Sequence, residues 1–65
     1  MTYKIVIWVY GTIEDTYESD DIQDALKWYR DNWSSVWDNV GCSFSVYEND
    51  NWLSFEEKWD LGFYK

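Results

Sequence analysis

The stretch YKIVIWVYGTIEDTYES, residues 3–19, decides the fold. Its first half, residues 3–10, is made mainly of β-branched and aromatic residues, which favour strands. Alternation places Tyr3, Ile5, Ile7 and Val9 on one face of this strand and Lys4, Val6, Trp8 and Tyr10 on the other. Both faces are largely apolar, so the sequence predicts a central strand of a sheet.

Gly11 follows as a turn residue that tolerates a positive φ, and residues 12–18 alternate again. The apolar side chains of this second strand are Ile13 and Tyr17, and the polar ones opposed to them are Thr12, Glu14, Thr16 and Glu18. We therefore predict that Ile13 and Tyr17 share one face of an antiparallel strand whose other face meets water.

A helix is predicted to begin after Asp20, because Gln23 follows three residues later with the spacing of a capping box. Asp21 and Asp24 add negative charge near the positive end of the helix dipole. Apolar residues then recur three and four positions apart, at Ile22, Ala25, Leu26, Tyr29, Trp33, Val36 and Trp37. The helix is expected to end within residues 33–37.

Residues 42–47 alternate between apolar and polar side chains, which predicts a third strand. Residues 49–51 form a turn cluster, and residues 52–53 are expected to return as a short fourth strand. Ser54 and Glu57 form a second capping-box pattern, and Gly62 stands where a helix over residues 55–61 would end. The predicted fold is α+β, a ββαββ-like antiparallel sheet with one main helix packed on one face and a short C-terminal helical turn. Residues 1–65 are expected to form a single domain.

Six Trp, six Tyr and three Phe are unusual in a chain of 65 residues. A domain of this size buries only about 60% of its unfolded surface, so large rings help to build a core from few residues. Trp8 and Tyr10 point away from the aliphatic face of the first strand and are candidate anchors for a protein interface, where Trp and Tyr are enriched. Alternatively, both faces of the sheet are covered, or a homodimer buries one of them.

The residues that common enzyme chemistry needs are missing. The chain has no His, so a Ser or Cys nucleophile lacks its commonest base, and its three glycines lie too far apart for a phosphate-binding loop. Cys42 is the single cysteine and is expected to be a small buried hydrophobe. The acidic residues of segment 48–57 fail the EF-hand spacing, because Leu53 and Trp59 stand where Gly and Glu are required. We expect no enzymatic activity, no cofactor and no metal site.

Thirteen acidic residues and five basic ones give a formal net charge of −8. Proteins that bind nucleic acids or anionic membranes draw affinity from Lys and Arg, so neither is an expected partner and a basic protein is. The apolar run of residues 5–10 is much shorter than the roughly 20 residues of a membrane span. Together with the single cysteine, these features predict a cytoplasmic protein.

The acidic segment, residues 14–24, contains six carboxylates and no Lys or Arg: Glu14, Asp15, Glu18, Asp20, Asp21 and Asp24. In an extended strand Glu14 and Glu18 would lie on one face, about 13 Å apart. A row of this kind can imitate the phosphates of a nucleic-acid strand and occupy a basic groove. The alternative interpretation is that these acids cap a helix and keep an exposed strand unpaired. Capping explains the last three of them but not the first three.

In size, charge and aromatic content the chain resembles the small acidic proteins with which bacteriophages disable host defence or repair enzymes, such as uracil-DNA glycosylase inhibitors, anti-restriction proteins and anti-CRISPRs. Glu18 and Ser19 are similar to the Glu-Ser pair that a glycosylase inhibitor presents on a strand, although Asp20 follows where that pattern has a hydrophobic residue. The resemblance implies a phage-type inhibitor that acts in the host cytoplasm.

We therefore expect a protein-binding module that blocks a basic, nucleic-acid-handling protein by charge mimicry. The acidic segment would supply the charge, and Trp8 and Tyr10 would add apolar contacts. The alternative is a structural or assembly protein, either a homo-oligomer or a complex subunit, whose acidic surface only confers solubility.

Overall fold

Four antiparallel strands and two helices make up residues 1–33 and 40–64, which are the residues that this computed structural model describes. In chain order the elements are β1 (Tyr3–Val9), β2 (Thr12–Ser19), α1 (Ile22–Trp33), β3 (Cys42–Glu48), β4 (Asn51–Trp52) and α2 (Phe55–Leu61). The strands are ordered β2-β1-β3-β4, and each neighbouring pair is antiparallel. The predicted α+β class and the central position of β1 are both confirmed.

Both hairpins of the sheet close through residues with positive φ. Tyr10 (φ 50°) and Gly11 (φ 81°) join β1 to β2, and Asn49 (φ 50°) and Asp50 (φ 67°) join β3 to β4. Two successive residues with positive φ match the right-handed twist of the strands that they connect. Asn and Gly adopt this conformation readily, whereas a tyrosine does so rarely.

The core lies between the sheet and the helices. The residues of β1 at odd positions face α1, as predicted, and the buried hydrophobic cluster consists of Tyr3, Ile5, Ile7, Ala25, Leu26, Tyr29, Phe44, Val46, Leu53 and Phe63. The ring of Tyr29 lies 4.7 Å from that of Phe44 and 5.4 Å from that of Phe63. Aromatic rings in offset or edge-to-face contact therefore connect α1, β3 and the end of the chain after α2.

The prediction that Ile13 and Tyr17 share a face of β2 is wrong. Ile13 pairs with Trp8, and Tyr17 pairs with Ile5, so the two side chains lie on opposite faces of the sheet. The register shifts between Ile7 and Trp8 of β1, and Glu14 is the residue of β2 that has no partner in β1. A single extra residue reverses the faces of everything beyond it, because side chains alternate with a period of two.

The predicted cap of the first helix is wrong by one residue. Asp21, not Asp20, receives the backbone N–H of Gln23 on its carboxylate and the N–H of Ala25 on its carbonyl oxygen. Asp20 instead accepts a hydrogen bond from the Thr2 hydroxyl. The predicted continuation of the helix through Val36 and Trp37 falls in residues 34–39, outside the described residues.

The second helix follows the prediction closely. Ser54 and Glu57 form a reciprocal capping box, and Gly62 ends α2 in a left-handed conformation with φ 106°. The fourth strand comprises Asn51–Trp52, one residue earlier than predicted, although Leu53 still donates its backbone N–H to Val46. Among the described residues, no helix is long and apolar enough to cross a membrane.

Candidate functional site

The acidic residues of β2 do not form a row on one face. Asp15 pairs with Ile7 and lies on the face that α1 covers, whereas Glu18 pairs with Lys4 on the opposite face, which we call the open face. Asp15 and Glu18 differ in face by ordinary alternation, and Glu14 is the bulge residue, without a partner in β1. The bulge therefore interrupts the predicted alignment of Glu14 with Glu18, and the carboxylates of β2 do not line up on one side of this edge strand.

Asp15 is held by two donors. One carboxylate oxygen accepts the Trp33 indole N–H at 3.2 Å, and the other accepts the backbone N–H of Thr16 at 2.9 Å. The first bond ties β2 to the end of α1. Asp15 therefore has a structural role that the sequence pattern does not reveal.

Asp24 is held by Tyr17, whose hydroxyl donates to its carboxylate at 2.6 Å. The Tyr17 ring stacks on Trp28 at 4.8 Å with 5° between the ring planes, which orients the hydroxyl toward the first turn of α1. This hydrogen bond lowers the pKa of Asp24 and raises the pKa of Tyr17. Both shifts have the same cause, because the bond requires a charged carboxylate and a protonated phenol.

Glu14 and Glu18 differ from these acids. Both are exposed, and neither has a hydrogen-bond or ion-pair partner among residues 1–33 and 40–64. The ion pair found in that part of the chain joins Lys27 to Asp31 on α1 at 2.7 Å. Of the six carboxylates in the acidic segment, Glu14 and Glu18 are thus the two left entirely to solvent or to a partner.

The open face carries the predicted anchor Trp8. It is half-buried and lines a shallow cavity of about 380 Å³ together with Lys4, Val6, Ile13, Tyr47 and Asp50. Ile13 is 53% exposed at the rim, and Trp52 on β4 is 60% exposed. This face therefore presents apolar and aromatic surface without a described element packed on it.

Tyr10, the second predicted anchor, lies in the β1–β2 turn and is 79% exposed. Its ring covers Gly41, where an added Cβ would clash with the ring. Of the two predicted anchors, only Trp8 therefore lines the cavity of the open face.

A second cluster, around α2, was missed from the sequence. Lys58 is 8% exposed, and its ammonium group lies 4.6 Å from the centre of the Phe44 ring and 5.9 Å from that of Tyr64. Burial lowers its pKa. A signal was available, because Lys58 lies one helical turn before Leu61, which packs against the core, so the two share a face of the helix.

Cys42, predicted to be a small buried hydrophobe, packs against the core but is only half-buried. It lines a cavity of about 270 Å³ with Ser43, Phe44, Lys58 and Tyr64. No group of three or more His, Cys, Asp or Glu residues in the described ranges could hold a metal ion.

Comparison of the chain with protein families, with curated proteins and with solved structures finds no match.

Proposed function

We propose that this protein is a small acidic protein-binding module of the phage-inhibitor type, which blocks a basic, nucleic-acid-handling protein. The observation that carries the proposal is the pair Glu14 and Glu18 on the outermost strand, exposed and without a partner in the described residues. Carboxylates without a hydrogen-bond or ion-pair partner in the described residues are available to another protein, and a basic partner gains most from them.

Acidic residues outnumber basic ones on the described surface by even more than the composition suggests. Residues 1–33 and 40–64 contain twelve of the thirteen acidic residues and four of the five basic ones. One of those four, Lys58, is buried. A surface of this kind raises the association rate with a basic protein and repels nucleic acid, so it supports competition with nucleic acid for a shared basic groove.

The mode of mimicry is revised by the bulge at Glu14. A single line of carboxylates at phosphate-like spacing does not exist on β2, because Glu14, which was expected to share a face with Glu18, is the unpaired bulge residue, and Asp15 lies on the face opposite Glu18. The negative charge instead surrounds the strand and continues to Asp20 at the start of α1. We propose that this surface enters a basic groove edge-first.

The test is a pull-down from bacterial lysate at low salt, with elution by competing duplex DNA. The variant Glu14→Gln/Glu18→Gln removes the two unpartnered charges, and Glu56→Gln/Asp60→Asn removes the same charge from exposed positions of α2. We expect the wild type and the α2 variant to retain a basic protein that DNA displaces, and the β2 variant to lose it. An equal loss in both variants would show that net charge alone acts, and full retention by the β2 variant, or no DNA-displaceable protein at all, would contradict the proposal.

The open face favours a second candidate, assembly. Trp8, Ile13 and Trp52 form an apolar surface that a second copy could cover. Sedimentation at low and high salt tests this candidate, because apolar association strengthens with salt whereas docking of a basic partner weakens. A species of 8.0 kDa at micromolar concentration under both conditions would contradict self-association.

A further inference from the structure

The outer edge of β2 is an interaction surface in its own right. β2 is the longest strand of the sheet, with eight residues, and it stands at the end of the strand order, so no described strand pairs with its outer edge. It contains no proline, and the bulge at Glu14 leaves residues 15–19 in regular register with β1. A regular, unpaired edge of this length is a template for an additional strand.

The outward backbone groups of this edge belong to Thr16, which offers its carbonyl oxygen, and to Glu18, which offers both its N–H and its carbonyl oxygen. In an antiparallel pair, successive residues turn their N–H and C=O groups alternately toward and away from the neighbouring strand. The Thr16 N–H bonds to the Asp15 side chain and therefore points away from β1, and Glu18 has the same orientation two residues later. Tyr17, between them, faces Ile5 across the ladder.

Charge decides which strand could be added. A second copy of β2 in an antiparallel register centred on Thr16 would bring Glu14 of each copy close to Glu18 of the other, with no base on either strand to offset them. A strand with Lys or Arg on both of its faces would meet Asp15 on one side of the sheet and Glu18 on the other. The edge therefore repels its own copy and suits a basic strand.

We propose that the partner of this protein docks by β-augmentation, adding an extended basic segment to the outer edge of β2 at residues 15–19. This inference rests on the proposed function and specifies its geometry. The carbonyl oxygen of Thr16 and the N–H and carbonyl oxygen of Glu18 would form the ladder, and the carboxylates on both faces would select a basic sequence.

The probe is an eight-residue peptide with blocked ends in which pairs of Lys alternate with pairs of Thr, so that an extended strand carries Lys on both of its faces. Its control is the same peptide methylated on the backbone nitrogens of its four central residues, which keeps the charge but removes the ladder donors of both edges. We expect the unmethylated peptide to bind about tenfold more tightly at low salt, because methylation removes the peptide N–H groups that would donate to the carbonyl oxygens of Thr16 and Glu18. Amide hydrogen exchange should slow at Glu18 and stay unchanged at Tyr17, which is already paired.

The outcomes separate this inference from the proposed function. Equal binding of the two peptides, reduced in Glu14→Gln/Glu18→Gln, would overturn strand addition and leave charge-driven docking standing. No binding of either peptide at millimolar concentration, or protection spread over the open face instead of Glu18, would also overturn strand addition. The proposed function is decided separately, by the DNA-displaceable capture described above.

Discussion

The two halves of this small domain use aromatic residues in opposite ways. In the first half, made of β2 and α1, ring substituents donate hydrogen bonds to carboxylates: Tyr17 to Asp24, and the Trp33 indole to Asp15. In the second half, made of β3 and α2, ring faces surround a cation, with Lys58 over Phe44. Donor groups at ring edges suit anions and π faces suit cations, so one residue class stabilises both charge signs.

The difference shows how a 65-residue chain with a net charge of −8 can combine a stable core with a surface available for binding. Charges that the rings bind are structural, and substituting them should affect the fold. Charges without such partners, at Glu14 and Glu18, should affect binding only. The predictions below test that division, starting with the buried lysine.

Lys58→Glu should have the largest effect of any single charge change in the second half. A carboxylate at this buried position would be desolvated and would face the negative π surface of Phe44 instead of being attracted to it. We expect a loss of about 3 kcal/mol, which is much of the stability of a domain this small. Urea unfolding followed by tryptophan fluorescence measures it.

The control for that substitution is Lys58→Met, which keeps the unbranched stem and removes the charge. We expect its stability at neutral pH to stay within about 1 kcal/mol of wild type, because the cation–π attraction and the desolvation of the ammonium oppose each other. A loss as large as that of the Glu variant would show that the ammonium itself, rather than the stem, holds α2 in place.

The difference in stability between the wild type and Lys58→Met should change with pH in one defined direction. Burial lowers the pKa of Lys58 in the folded state, so between that lowered pKa and the ordinary pKa the unfolded chain binds more protons. Stability of the wild type relative to Lys58→Met should therefore rise as pH increases through the folded pKa of Lys58. A flat or falling difference in alkaline urea titrations would contradict the burial of the ammonium group.

Substitutions at the helix caps should change stability by an intermediate amount, and the change should differ between the two halves. Ser54→Ala removes one side of the capping box of α2 and should cost about 1 kcal/mol. Asp21→Asn keeps an acceptor for the Gln23 N–H at the start of α1 and removes one negative charge from a strongly acidic surface. We expect this variant to be as stable as wild type or slightly more stable, by thermal unfolding, and a loss equal to that of Ser54→Ala would show that the Asp21 charge itself is structural.

The features that the sequence predicted correctly are those that depend on residues close together in the chain. The capping box at Ser54 and the turn at Gly11 depend on residues within one turn of chain, and both were predicted correctly. The bulge at Glu14 was not, because it arises from pairing with β1, and a pattern of alternation within β2 alone cannot show an extra residue. The burial of Lys58 was missed for a similar reason, since Phe44 lies on another element.

The candidate site shows the same limit. Six acids in eleven residues are visible in the sequence, and so is their excess over what capping requires. Which of them are engaged depends on long-range contacts, such as that between Asp15 and Trp33, eighteen residues apart. Only the structure therefore separates Glu14 and Glu18 from their neighbours.

The smallest expected effect tests the exposed ring-to-carboxylate bond of the first half. Tyr17→Phe keeps the stack on Trp28 and removes the donor to Asp24, so the pKa of Asp24 should rise toward its ordinary value. Carboxyl carbon NMR during an acid titration measures that pKa directly. Tyr17→Leu, which lacks both the ring stack and the hydroxyl, is the matched variant that should also lower the melting temperature.

The stabilisation by this hydrogen bond should be lost at both low and high pH. Each limit follows from the direction in which folding shifts one pKa. Because folding lowers the pKa of Asp24, the contribution of the bond is present above the unfolded pKa and is lost as pH falls through the folded one. Because folding raises the pKa of Tyr17, the contribution is present below the unfolded pKa and is lost as pH rises through the folded one. The melting temperatures of wild type and Tyr17→Phe should therefore differ most near neutral pH and converge at both extremes. A difference that persists in acid would mean that the hydroxyl stabilises β2 through something other than the charged carboxylate of Asp24.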